Sequence, residues 1–250
     1  YWKAMQSLML EAFGKQIYAW CEENGVEFTG HYIEESSISG QMLCCAGIMP
    51  FYAYMHMPGI DWLGKETNNE IPARQLASVA AQFGKKQTLT ETFACCGWQI
   101  SPKDLKTIAD FQCAGGVSTI CHHLVPVSEY GQRKKDYPSH FSNVNPWIER
   151  EFADFNNYFT RLGYMISNGR EQINVAMLHP IRSAYFEYKR YEEDFVRHID
   201  DAFLNDCKLL SGAGVAYHLL DETLLAEHGF VKGGKIGCGK CSYDYLVLPH

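Results

Sequence analysis

Gln87-Thr88-Leu89-Thr90-Glu91 is followed by Ser101-Pro102, then by Leu105, Ile108 and Phe111, then by Gly115-Gly116 and Val117-Ser118-Thr119-Ile120-Cys121-His122. This stretch reads as strand, crossover helix and strand. Ser101 is an N-cap, Pro102 suits the first helical turn, the apolar residues recur at helical spacing, and the glycines end the helix. A strand joined by a helix to a second strand makes a parallel pair, the unit of α/β folds.

The same alternation extends outward. Upstream, an opening helix through Leu8, Phe13 and Ile17 stops at Asn24-Gly25 and leads to a first strand at residues 26–32. Pro58 to Leu63 reads as a second strand, and a helix from Pro72 to about Phe83 carries Leu76, Val79, Ala80 and Phe83 on one face and stops at Gly84. Downstream, Asn145-Pro146 starts a long helix with a core stripe of Phe152, Phe155, Phe159, Leu162 and Ile166. Ile173–Leu178, Val215–Leu219 and Tyr245–Leu248 then read as strands of an open sheet, with a long charged helix running to about Leu210.

The expected fold class is therefore α/β: a partial (β/α)8 TIM-type barrel over residues 1–169, followed over 170–250 by the start of an open parallel-sheet, flavodoxin-like unit. The opening inside a helix and the ending at a strand suggest a piece of a longer chain. A half barrel exposes two strand edges that its missing half would pair, so the isolated piece is expected to be inactive.

The 250 residues are 46% hydrophobic and 20% charged, with a net charge of -7, which argues against nucleic acid and anionic membrane partners. No apolar run is long enough for a membrane span. Ten cysteines without the spacing of a disulfide scaffold point to a reducing cytoplasm. Cys238-Gly-Lys-Cys241 has the spacing of half a zinc knuckle, but no second ligand pair follows, so a glycine-rich turn is the expected reading. Gly233-Gly234 is too short for a phosphate loop, and the charged run from Lys189 to Asp194 reads as a solvated helix face.

Barrel chemistry sits at the C-terminal ends of the strands. Those ends read His31-Tyr32-Ile33-Glu34-Glu35, Asp61, Glu91 and His122-His123. Glycoside hydrolysis needs two carboxyl groups flanking the scissile bond. Glu91 is the leading catalytic candidate, with Glu35 or Glu34 as its partner. Asp61, His31, His122 and His123 are candidates for binding sugar hydroxyls, and Trp98, on the loop after Glu91, for stacking on a ring. Arg133, Lys134, Lys135 and Asp136 lie in a polar segment expected to be a functional loop. Two other readings compete. A metal-dependent hydrolase would use His31, Asp61, His122 and His123 as ligands, although the His-x-His pattern is absent. A noncatalytic carbohydrate-binding or scaffold module would bind sugar without needing Glu91.

Phe28-Thr29-Gly30-His31 with Glu34-Glu35, Pro58-Gly59-Ile60-Asp61, Thr90-Glu91-Thr92-Phe93 with Gly97-Trp98, and Gly116-Val117 leading to His122-His123 occur in that order. In order and spacing the chain resembles the barrel domains of large bacterial glycoside hydrolases related to the family 106 α-L-rhamnosidases. The likeness extends through Asn145-Pro146-Trp147 and Val175–Pro180 to Tyr245–Pro249. It implies hydrolysis of a terminal deoxy-sugar such as α-L-rhamnose by carboxylate acid/base chemistry, with Glu91 on a late barrel strand. It implies no cofactor beyond a calcium ion that sometimes helps hold the sugar, an oligosaccharide or glycoside substrate, and accessory β domains elsewhere in the parent chain. The doubled cysteines after Leu43 and Ala94 depart from the family's pattern.

Overall fold

The computed structural model describes residues 1–123, 125, 128, 130, 131, 137, 138, 141, 145–190, 192 and 194–250, without the side chains of residues 194 and 195. The polar segment 133–136 lies outside them. The chain opens with α1 (Trp2–Met9), a π-helical turn (Leu10–Gly14) and α2 (Lys15–Asn24), which ends on left-handed Gly25. It continues through β1 (Thr29–Gly30), α3 (Ile38–Cys44), α4 (Met49–Ala53), β2 (Met57–Trp62), α5 (Ile71–Phe83), β3 (Leu89–Thr92), α6 (Pro102–Ala114), β4 (Thr119–His122) and α7 (Ile148–Asn168). Strands β1 to β4 form one sheet in sequential order, every pair parallel: half of a barrel wall.

The remainder holds β5 (Val175–His179), α8 (Ile181–Glu187), α9 (Asp194–Gly212), β6 (Tyr217–Asp221), α10 (Glu222–His228), β7 (Gly229–Lys232), β8 (Lys235–Cys238), β9 (Cys241–Tyr243) and β10 (Tyr245–Val247). It contains a parallel sheet in the order β10-β5-β6 and an antiparallel ribbon β7-β8-β9. No described helix is long and apolar enough to cross a membrane.

Three expectations change in detail. The first strand is only two residues long, because Phe28 donates its N–H to His56 Nδ1 (2.8 Å) and the chain turns away after Gly30. The long charged helix before Leu210 is two helices, α8 and α9, and Lys189 and Glu192 between them form an isolated antiparallel bridge rather than part of a helix face. The ribbon β7-β8-β9 was not legible as strands. Gly233-Gly234, both at positive φ, form its first tight turn between paired Lys232 and Lys235. Cys238 and Cys241 face each other across the second turn, and among the described residues neither belongs to a group of metal-ligating side chains. All ten cysteines are free thiols.

Helix α5 joins the two parts. Its residues from Ile71 to Gln82 are almost all buried, because β2 packs on one side and β6 on the other. Two of its polar side chains bond across the junction. Ser78 Oγ accepts from Leu219 N–H (2.8 Å), and Gln82 Nε2 donates to the Leu219 carbonyl (2.9 Å) and to Tyr243 Oη (3.2 Å). One apolar cluster accordingly runs from Ile60 and Leu76 through to Leu219 and Tyr243.

On the other flank α7 lies directly on the start of β4, where a Cβ added at Gly163 would sit 2.1 Å from the Ser118 carbonyl oxygen. Backbone is on the receiving side, so the helix must shift. Gly163→Ala is expected to destabilise the chain by about 1–3 kcal/mol despite the higher helix propensity of alanine, read as a lower urea midpoint. A midpoint equal to or above that of the unsubstituted chain would disprove the close packing.

Candidate active site

The strand register builds the site. Asp61 on β2 is paired with Glu91 on β3, and Glu91 with Cys121 on β4, so the three lie side by side on one face of the sheet. Their neighbours along the strands point the other way. Thr92 Oγ1 accepts from Gln112 of α6 (2.9 Å), and Trp62 packs on Phe111 of the same helix. With the helices on that side, Asp61, Glu91 and Cys121 occupy the barrel-facing side.

His31, just beyond β1, reaches over to this row. Its Nε2 lies 2.6 Å from Glu91 Oε2, and its Nδ1 lies 2.5 Å from the Tyr32 carbonyl oxygen. Both partners are acceptors, so a ring donating from both nitrogens, the imidazolium, satisfies the geometry. Burial opposes that charge, but the hydrogen bonds to Tyr32 and Glu91 and the charges of Asp61 and Glu91 outweigh it and raise the His31 pKa. The Asp61 carboxyl is also raised, chiefly by burial and further by Glu91, with His31 and His123 opposing.

Glu35 is only 2% exposed. Tyr52 Oη donates to its Oε1 (3.3 Å) and the Asp61 N–H to its Oε2 (3.1 Å). Its pKa is pushed up to about 7, mainly by burial, with the Asp61 N–H and His31 pulling down and the Asp61 charge pushing up. Such a carboxyl is about half protonated at neutral pH, where an ordinary glutamate is almost fully ionised. Its backbone is equally fixed, the Glu35 carbonyl accepting from Gln75 (3.0 Å) and Gln41 (3.5 Å). Glu34 beside it is exposed and adopts a left-handed φ of 61°. A cleft of about 320 Å³ opens here, walled by Ile33, Glu34, Glu35, Asp61, Trp62 and Leu63.

The structure therefore brings His31, Glu35, Asp61 and Glu91 together, with Glu34 at the rim and His123 within electrostatic reach of Asp61. Trp98 stands 42% exposed on the loop after β3. His122 is turned to the helix side, where its Nε2 meets Asn156 Oδ1 (3.1 Å) among Phe93, Phe141, Phe152 and Phe155. Burial lowers its pKa. Tyr52, Gln75 and Cys121 went unnoticed in the sequence. Cys121 alone had a signal there, since it shares the parity of Glu91 along paired strands.

His31, Asp61 and Glu91 offer ligand atoms within 4.8 Å of one another. One imidazole nitrogen and two carboxylates suit a transition ion better than calcium, which takes six to eight oxygens. The proton between His31 and Glu91 would first have to leave. These three side chains by themselves do not make a calcium set.

The family model of glycoside hydrolase family 106, described as α-L-rhamnosidase, matches residues 3–187. Among solved structures, a rhamnosidase from Novosphingobium sp. PP1Y superimposes with a TM-score of 0.67 at 18% identity, covering 96% of this chain and 22% of that one. A catalytic mutant of a GH42 β-galactosidase from G. stearothermophilus superimposes with a TM-score of 0.60 at 11% identity, covering 89% of this chain and 35% of the other. These likenesses bear on the fold, and the chain spans about a fifth of the rhamnosidase. No curated protein matches significantly.

Glu35 ties stability to pH. The folded chain holds its proton more tightly than the unfolded chain, so this stabilisation is complete below the ordinary carboxyl value of 4.5 and is lost as pH rises through about 7. On the order of 3 kcal/mol is at stake. Urea unfolding at pH 4.5 and pH 8 should show a loss of that size in the unsubstituted chain beyond any in Glu35→Gln. Equal pH dependence in both would mean that Glu35 titrates normally.

Proposed function

The chain belongs to glycoside hydrolase family 106, and on that premise we propose that it forms part of the active site of a glycosidase acting on a terminal deoxy-sugar such as α-L-rhamnose. The observation that carries this reading is the row of Asp61 and Glu91 on adjacent barrel strands, with a buried carboxyl, Glu35, hydrogen-bonded to the backbone of Asp61 and its pKa pushed up to about 7 by burial.

Cleavage of a glycosidic bond passes through an oxocarbenium-like state that needs a proton for the departing oxygen and a carboxylate on the other side of the ring. Glu35 supplies the proton as the C–O bond breaks. Glu91, paired with the His31 ring, either takes a proton from the attacking water or bonds to the anomeric carbon. Asp61 and His123 bind sugar hydroxyls, His31 positions Glu91, and Trp98 offers a stacking face. Glu34, at the rim, is placed to touch an incoming glycoside. His122 is left out of the binding set because its ring is enclosed on the helix side. Carboxylate acid/base chemistry of this kind needs no cofactor.

Residues 1–169 are assigned to the C-terminal half of the barrel and 170–250 to the start of a flavodoxin-like unit. Among the described residues β1 and β4 each pair on one side only, which fits a parent chain that supplies the remaining barrel strands. The 250-residue piece by itself should then be inactive.

The test is hydrolysis of a panel of nitrophenyl glycosides by the parent-length protein. Glu91→Gln should lower kcat by about 100- to 10,000-fold with the fold intact. If the panel is cleaved by Glu91→Gln as well as by the unsubstituted protein, the catalytic assignment falls. Sugar binding without any cleavage would favour a noncatalytic binding module, and activity that disappears with chelator and returns with added metal would favour the metal-dependent reading.

A further inference from the structure

The turn that carries Glu34 and Glu35 is held from outside the half barrel. Asp200 of α9 lies more than 160 residues away in sequence. Its Oδ1 accepts from the backbone N–H of Ile38 (2.5 Å) and of Ser39 (3.1 Å), and its Oδ2 lies 3.4 Å from the Ser39 nitrogen. Those amides open α3, and nothing within that helix can accept from them. Ser37, the residue's own N-cap, is occupied elsewhere, accepting from Gly40 N–H (3.0 Å). A carboxylate accepting two backbone N–H groups is a strong, charge-assisted clamp.

The first turn of α3 is in turn the platform for the acidic pair. A Cβ added at Gly40 would lie 2.9 Å from Glu34 Cβ, Glu34 O and Ser37 Oγ, so the Glu34 backbone rests directly on the helix. Gln41 of α3 reaches the Glu35 carbonyl, and Asn69 holds the Ser36 carbonyl (2.8 Å). The left-handed Glu34 is a strained link that keeps its shape only while both sides are held.

We infer that Asp200 is a positioning residue for the proton donor, a group through which the second α/β unit completes the barrel's site. This rests on the assignment of Glu35 as that donor. The clamp fixes α3, α3 fixes the 34–36 turn, and the turn aims the Glu35 carboxyl. Losing the clamp lets the turn relax, and small displacements of a catalytic group cost about 10- to 100-fold in rate.

Leaving-group dependence separates this role from a merely structural one. A misplaced proton donor slows glycosides with poor leaving groups, which need the proton, and spares dinitrophenyl glycosides, which depart as stable anions. The parent-length protein is assayed on an alkyl and a dinitrophenyl glycoside as the unsubstituted form, Glu35→Gln, Asp200→Ala, Asp200→Asn and Asp201→Ala. Asp201 is an exposed acid on the same helix and controls for charge. Asp200→Ala should lose about 10- to 100-fold in kcat on the alkyl glycoside with little change on the dinitrophenyl one, following the pattern of Glu35→Gln. Asp200→Asn, keeping one acceptor oxygen, should recover part of the loss and serves as the reading if Asp200→Ala does not fold. Equal losses on both substrates, or none, while Glu35→Gln discriminates between them, overturn the inference and leave the site reading standing. If Glu35→Gln itself does not discriminate, the donor assignment fails and this inference with it.

Discussion

The constraint on which the rest of the structure depends is the double burial of α5. A crossover helix of a barrel ordinarily shows one face to the sheet and another to water. Here β6 covers the second face, and the buried polar residues of the helix draw on partners from both sides. Gln75 finds the Glu35 carbonyl, while Ser78 and Gln82 find the backbone of β6. One helix therefore connects the acidic turn of the site to the second sheet. Loss of any of these partners would strand a buried amide or hydroxyl at a cost of about 1–3 kcal/mol.

Electrostatics follow from that packing. Four ionisable groups, His31, Glu35, Asp61 and Glu91, share a partly dry space, and the three carboxyl groups cannot all be ionised beside one imidazole without repulsion. The arrangement resolves this by depth. Glu35, the deepest, has its pKa pushed up to about 7 by burial and so releases its proton far less readily than an ordinary glutamate, and Glu91, at intermediate exposure, is paired with His31. Two carboxyl groups with their ionisation driven apart by environment is the pattern that lets one site both give a proton and hold a negative charge at the same pH.

Much of this was legible in the sequence, where local signals agreed with tertiary packing. Ser101 caps α6 as read, with Asp104 closing a capping box, and Gly84 ends α5 in the left-handed conformation. Glu91 and Asp61 were readable as strand-end acids, and the register of β2 with β3 puts them on one face. What escaped was set by contacts distant in sequence. β1 is cut short by a histidine from the next loop, the charged helix breaks where Lys189 and Glu192 pair, and His122 is claimed by aromatic residues of α7 and Phe141. The side-chain partners of Glu35 come from three different helices, and none carries a motif.

Backbone strain marks the same region. Of the four non-glycine residues at positive φ among those described, Glu34 follows β1, and Phe93 and Cys95 follow β3. Each such conformation costs about 1–3 kcal/mol. Phe93 shows how the cost is met: it is completely buried against His122, Phe141 and Phe155, and burying a phenylalanine contributes about 1.5–3 kcal/mol. The ring that anchors the strained loop is packed by the ring of His122, which turned away from the site. His122 thus supports the loop bearing Trp98 through packing, and a histidine at a strand end can matter to a barrel site from its far side.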